Sequence, residues 1–252
     1  MRQEQSLSGG NSAGPVFRAG NTVRKAWTPA SPHVHAYVTS LLEAGVDAPA
    51  PLGRDEQGRQ VWEFVPGPLA AEGLTRPELH RVGGMVRAIH DASVGFAAPA
   101  DAAWDSAIPA PGAELVCHND LAPWNLVMGE RWVFIDWDAA APSTRLWDLA
   151  YAAQAFTLND PSRSPADAAA DLAAFVDGYG ADAALRAALP AAMAARAQAM
   201  HELLRSSHAA GREPWGSMYA SGHGDHWLAA SRYVREHETK WARALGARST
   251  RL

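Results

Sequence analysis

The chain has 252 residues, 48% hydrophobic and 19% charged, an ordinary globular balance that allows one bilobal unit or two small domains around a sizeable core. The formal net charge of −5 and the scatter of the basic residues argue against a nucleic-acid partner, which would call for clustered Lys and Arg. The lone cysteine, Cys117, precludes an internal disulfide, and neither a signal-peptide core in MRQEQSLSGG nor an apolar run of spanning length is present, so a cytoplasmic protein without a membrane partner is expected.

Ser8 to Pro15 (SGGNSAGP) is a Gly-rich turn, and VFRAGNTVRKAW alternates around Ala-Gly-Asn as a hairpin does. Such a turn lets backbone N–H groups approach phosphates, with Gly10 as the contact position, although Pro15-Val16 stands where a Walker A motif needs Lys-Ser/Thr. A plain hairpin turn accounts for the glycines equally well. On the second strand, Thr22 and Arg24 share one face and Val23 and Lys25 the other. Ser31-Pro32 predicts an N-cap and a first-turn proline, with Val34, Val38, Leu41 and Leu42 at helical spacing up to Gly45. VWEFVPGPLA reads as a strand leaving through a stiff Pro-Gly-Pro connector, and Thr75 to Glu78 as a capping box opening a helix with the stripe Leu79, Val82, Val86, Ile89. His90 is expected at the end of that helix, satisfied by carbonyls. A long Ala- and Pro-rich loop, pinned by Trp104, then leads to Leu115.

The stretch from Leu115 to Leu149 organises the rest. His118, Asp120 and Asn125 form H-x-D-x-x-x-x-N, a short hairpin follows, and Asp136 sits in the apolar run F-I-D-W. This is the layout of a phosphotransfer loop. In such a layout Asp120 is expected to accept the proton of an attacking hydroxyl, and Asn125 and Asp136 to supply oxygen ligands to Mg²⁺ against the ATP phosphates. A metal-dependent hydrolase using His118, Asp120 and Asp136 is the alternative from another class.

HNDLAPWN, FIDWD and RLWDLA together resemble the aminoglycoside phosphotransferase and choline kinase family, relatives of the protein kinases that phosphorylate small molecules. The likeness is strong in the catalytic third, weaker in the first seventy residues and slight in the last hundred. It implies an α+β, bilobal protein-kinase-like fold, with a small β-rich nucleotide-binding lobe and hinge over 1–68 and a larger, mainly helical catalytic and acceptor-binding lobe over 69–252. It implies ATP and Mg²⁺ as cofactors and a hydroxyl of a small molecule, an antibiotic such as an aminoglycoside or an amino alcohol, as acceptor, in a monomer or dimer. A catalytically weak ATP-binding immunity or sensor protein on the same fold is the other reading. By the same resemblance a strand cation steadies the nucleotide phosphates, Arg24 being preferred and Lys25 held in reserve. The Glu63 carbonyl and Val65 N–H meet the adenine edge, His118 is structural, Asp148 braces the catalytic loop, and Asp138 is an outer neighbour of the metal. The family's helix Glu, which pairs with the strand cation, is here replaced by His35. Asn119 stands where the family usually has Gly.

The remainder reads as helices opening at Ser164-Pro165, from about Pro190 to Ser207 and from about Asp225 to Leu245. Trp124 is a candidate floor of the acceptor pocket, and Glu202, Glu213, Asp225 and Glu236 are candidate partners for an amine on the acceptor. His223, Asp225 and His226 form a weaker candidate metal cluster, since Asp225 also fits a helix cap.

Overall fold

Alternation in VFRAGNTVRKAW produces the expected hairpin. In the computed structural model, which describes residues 4–7, 14–70 and 73–246, β2 (Val16–Ala19) and β3 (Thr22–Lys25) pair antiparallel across a turn where Gly20 has φ 64°. A short β1 (Gln5–Leu7) extends the pair on one side. On the other, β5 (Gln60–Glu63) pairs with β3 and carries β4 (Pro51–Arg54) at the far edge, giving a five-stranded antiparallel sheet in the order β1-β2-β3-β5-β4. Most of the Gly-rich turn, including Gly10, lies outside the described residues.

Between β3 and β4 runs α1 (Ser31–Glu43), and the structure moves its start by one residue. Ala30 is the N-cap, while Ser31 lies inside the helix and accepts a hydrogen bond from Thr28 N at 2.9 Å. The Ser-Pro pair therefore closes the preceding turn instead of capping. The capping box at Thr75 and Glu78 is present and opens α2 (Arg76–Ser93).

The catalytic stretch is built from short pieces. β6 (Leu115–Cys117) pairs with β9 (Ala141–Ser143), and β7 (Leu126–Met128) with β8 (Trp132–Phe134). The Pro-Gly-Pro connector lies along β7, with Met128 N donating to Pro68 O at 2.8 Å and Ala70 N to Leu126 O at 2.7 Å. At Gly67, φ is 147°, and a Cβ there would stand 2.7 Å from the Gly129 Cα in the β7–β8 turn. Only glycine allows this approach.

Helices complete the second lobe: α3 (Arg145–Thr157), α4 (Pro165–Tyr179), α5 (Ala183–Ala209), the short α6 (Trp215–Met218), α7 (Gly224–Glu236) and α8 (Glu238–Gly246). The fold is bilobal, a β-sheet lobe followed by a mostly helical one, in the architecture of the protein kinases. Pro190, expected to start a helix, lies within α5, because Asp182 caps that helix earlier by accepting from Leu185 N at 2.8 Å. The single helix expected over Asp225–Leu245 is two, broken at His237.

A continuous core joins α1, α2 and the later helices through fully buried Tyr37, Leu79, Phe175 and Trp241. Where α2 crosses α4, the backbones touch. A Cβ on Gly83 would meet Phe175 O, and one on Gly178 would meet His80 O. Gly178→Ala must push these helices apart; the expected cost is on the order of 1–3 kcal/mol. Thermal denaturation should show a melting temperature lower by about 2–4 °C per kcal/mol. An unchanged melting temperature would mean that the crossing is looser than described.

Candidate active site

The catalytic loop is held by residues on both of its flanks. Asn119, standing where the resemblance expects glycine, has φ 63°, a conformation that asparagine tolerates better than most side chains. Its Nδ2 donates to the carbonyls of Ala139 and Ala141, each at 3.2 Å, tying the loop to β9. Its backbone N donates to Asp148 Oδ1 at 2.8 Å, and the other Asp148 oxygen meets His90 Nε2 at 3.0 Å. His90 is wholly buried and bonds through Nδ1 to the Tyr179 hydroxyl at 2.9 Å, so its partners are side chains and not the helix-end carbonyls expected. His90, Cys117 and Asp148 are the group within metal-ligand reach of one another among the described residues. Both His90 nitrogens and both Asp148 oxygens are already bonded within the protein. Burial pushes the Cys117 thiol up, which keeps it an inert neutral packing group.

His118 is fully buried. Its Nδ1 accepts from Asp120 N at 3.2 Å, leaving the proton on Nε2, which points to Ile135 O at 3.1 Å. Both nitrogens are used, and burial draws its pKa below the ordinary value. It ties the loop to the strand end bearing Asp136 and has no lone pair left for a metal, which weighs against the hydrolase alternative.

Asp120 is fixed through both oxygens. The Tyr151 hydroxyl donates to Oδ1 at 2.8 Å, and Asn125 Nδ2 donates to Oδ2 at 2.8 Å and to the Asp120 carbonyl at 2.9 Å. Burial raises the Asp120 pKa to about 6, with the charge of Asp136 adding and the bonds from Tyr151 and Asn125 opposing. This folded-state value lies above the unfolded one, so the stability that Asp120 contributes is present below its unfolded pKa and is lost as pH rises through about 6. Asp120→Asn should therefore melt higher than the parent at pH 8, by roughly 1 kcal/mol after allowance for the side chain's partial exposure. The gap should close near pH 4; an equal gap at both values would contradict the burial of this carboxylate.

The second acidic group stands opposite. Asp136 has φ 63° and ψ 61° and opens the short turn Trp137–Ala139. Its Oδ1 accepts from Lys25 Nζ at 2.9 Å, and Asp138 Oδ2 lies 2.7 Å from the same nitrogen. Burial alone would lower the Lys25 pKa, but the two carboxylates outweigh it and hold it above the ordinary value. The Lys25 charge in turn holds Asp136 low.

This placement reverses the preference between the strand cations. Arg24, on the opposite face of β3, pairs with Asp55 at 3.3 Å and bonds to Thr22. The carboxylate that α1 lacks is supplied to Lys25 by Asp136 and Asp138. His35 reaches Gln60 Oε1 at 3.3 Å, and Gln60 Nε2 reaches Asp138 Oδ1 at 3.3 Å. The helix thus reaches the ion pair through a buried amide.

Lys25, Asp120, Asn125, Asp136 and Asp138 line one cleft of about 1190 Å³, which also takes in Glu63, Val65 and Gly67 of the connector. The Glu63 side chain is held away by Arg131 at 2.6 Å and by Ala50 N at 3.1 Å. With its two N–H donors given to Asp120, Asn125 keeps its amide oxygen as an acceptor, and Asp136 keeps Oδ2. An all-oxygen donor set of this kind fits Mg²⁺. Trp124 lines the cleft and is 41% exposed. Of the four acids considered for an amine-bearing acceptor, Glu202, Glu213, Asp225 and Glu236, none lines it. His223 and His226 do, without forming a metal group with Asp225 among the described residues.

Sequence reasoning missed Tyr151, Gln60 and Arg196. The Arg196 guanidinium stacks over the Tyr151 ring, 4.3 Å from its centroid. A lone arginine among alanines in MAARAQAM was the available signal. Tyr151 and Gln60 gave none, being ordinary members of a helix and a strand.

With this geometry in place, the chain can be set beside known proteins. Residues 91–191 match the model of the phosphotransferase enzyme family (APH), and the chain has the fold of that family and of the choline/ethanolamine kinases. A trifolitoxin immunity protein from Rhizobium leguminosarum bv. trifolii is 31% identical over 161 residues, 60% of this chain and 61% of that one. The chain thus spans about three fifths of the length of the curated relative it matches. Among solved structures, a choline/ethanolamine kinase family protein from Mesorhizobium loti superposes with a TM-score of 0.63 at 17% identity, covering 96% of this chain and 92% of that one. An amicoumacin kinase in complex with AMP-PNP, Ca²⁺ and Ami gives a TM-score of 0.69 at 14% identity, covering 94% and 88%. No helix of the described residues is long and apolar enough to cross a membrane.

Proposed function

We propose that the chain is a small-molecule kinase that transfers the terminal phosphoryl group of ATP, held with Mg²⁺, to a hydroxyl of a small molecule in the cytoplasm. In this reading residues 1–68 hold the nucleotide and residues 69–252 carry the base and the acceptor. The observation that carries it is the convergence on one cleft of Asp120, bonded by Tyr151 and Asn125, with the Lys25–Asp136 pair.

Bound Mg²⁺ would neutralise charge on the phosphates, with the Asn125 amide oxygen and the Asp136 carboxylate as its protein ligands. Asp120 takes the proton of the acceptor hydroxyl as that hydroxyl's oxygen bonds to the terminal phosphorus and the bond from this phosphorus to the bridging oxygen breaks, releasing ADP; the two donors on the carboxylate fix which lone pair faces that proton. Lys25 meets phosphate oxygens as a point charge. The backbone at Glu63 and Val65 faces the adenine edge. Little covalent chemistry is asked of the protein, so positioning and charge supply most of the acceleration. Incubation with ATP, Mg²⁺ and pooled hydroxyl compounds should give acceptor-stimulated ADP release.

A second reading, an ATP-binding immunity or sensor protein with weak turnover, is favoured by the likeness to an immunity protein and by His35 on α1. It predicts thermal stabilisation by ATP without ADP release from any pool. The Lys25 pairing to Asp136 and Asp138 weighs toward the kinase, because the strand cation is positioned without help from α1.

A further inference from the structure

Past Asp120 the cleft is walled by helices, and their chemistry is one-sided. Tyr151, Met200, Trp215, Met218 and Trp227 give it broad flat apolar surface. No residue that α3, α5, α6, α7 or the turn before α7 contributes to the lining is Asp or Glu. Asp105 does line the cleft, but from the loop before β6.

The charge on this wall is Arg196, only 6% exposed. Among the described residues its one hydrogen bond runs from Nη2 to Asn119 O and is long, 3.4 Å, and its Nη1 has no partner. A guanidinium offers five N–H donors in a fixed fork, and leaving such a donor buried and unmatched is costly. The Tyr151 ring beneath it carries the hydroxyl that bonds Asp120, so a group held by Arg196 lies next to the base.

On the phosphotransferase reading given above, we propose that the acceptor is an anionic hydroxy compound with a planar apolar body, an aromatic hydroxy acid being the simplest case, whose negative group is received by Arg196. Aromatic walls also attract ammonium groups. Here a buried like charge opposes them, and the helical carboxylates that would bind a polyamine or amino alcohol are missing from the lining. The acceptor class thus departs from the aminoglycosides and amino alcohols implied by the sequence.

Pairs of probes that share ring and hydroxyl but differ in charge test this, such as mandelate against 2-amino-1-phenylethanol and 3-phenyllactate against 1-amino-3-phenylpropan-2-ol. Tryptophan fluorescence with ATP and Mg²⁺ present reads binding, and coupled ADP release reads transfer. At least one anionic member should bind about tenfold more tightly than its cationic counterpart, a difference of about 1.4 kcal/mol. Arg196→Gln should erase that preference and Arg196→Lys keep part of it, in variants whose thermal shift with ATP remains that of the parent. Preference for the cationic members, equal binding within every pair, or an anion preference that survives Arg196→Gln overturns the proposal. A loss of equal size for both members of a pair also overturns it, since Arg196 would then serve the transferred phosphoryl group. The two readings fail separately: Arg196-dependent anion binding without Asp120-dependent ADP release removes the kinase alone, whereas Asp120-dependent transfer to the cationic probes removes the anion site alone.

Discussion

Asp120→Ala is expected to lower ATP-dependent phosphate transfer by about 10² to 10⁴, the usual range for a positioned general base, while thermal stabilisation by Mg²⁺-ATP stays near that of the parent. The separation follows from geometry. Asp120 is held by Tyr151 and Asn125, and on the proposed function Lys25, Asp136 and the connector are the groups that face the nucleotide. Because burial and Asp136 lift the Asp120 pKa to about 6, the rate should fall on the acid side as the free carboxylate takes up its proton. Tyr151→Phe removes one donor to Asp120 and should move that acid limb to higher pH. A profile unchanged in Tyr151→Phe would detach the limb from Asp120.

Lys25→Ala should be the most damaging change to the nucleotide side. Lys25 is buried between Asp136 and Asp138 at 2.9 and 2.7 Å, and its loss leaves two facing carboxylates without a counter-charge. A charge-assisted contact to phosphate is worth about 1.5–3 kcal/mol, so ATP affinity should drop by roughly one to two orders of magnitude. Arg24→Ala is the control. Its partner Asp55 also bonds Arg59, so the change should cost within about 1 kcal/mol of stability and leave ATP binding alone. Equal losses of ATP binding in the two variants would contradict the assignment of Lys25.

Alternating side chains on a strand made the Arg24–Lys25 choice a matter of register. The sequence contained both faces of β3, but which face looked into the cleft depended on pairing with β5 far along the chain. The loop motif was legible because Asp120 and Asn125 are only five positions apart and their contact is local. Asp138 as a partner of Lys25 was not, since that contact joins the two lobes. Helix ends followed local chemistry where a side chain caps the backbone, as at Thr75 and Glu78. Proline alone marks a helix start poorly, as at Pro190, because the competing cap Asp182 lies two turns upstream. The acceptor wall was the least legible part. Its residues come from four helices, and only packing decides that Arg196 faces the cleft while Glu202, a few residues on along α5, binds Arg205 instead.

On the proposed function Asp120 and the Lys25–Asp136 pair serve a single transfer of phosphate, which labelled γ-phosphate followed from ATP into organic acceptors reads out. Label should appear in an acceptor only when Mg²⁺ is present, and should vanish with Asp120→Asn although that variant still binds ATP. Transfer that persists in Asp120→Asn, or a protein that binds ATP and passes label to no hydroxyl compound, would contradict the account.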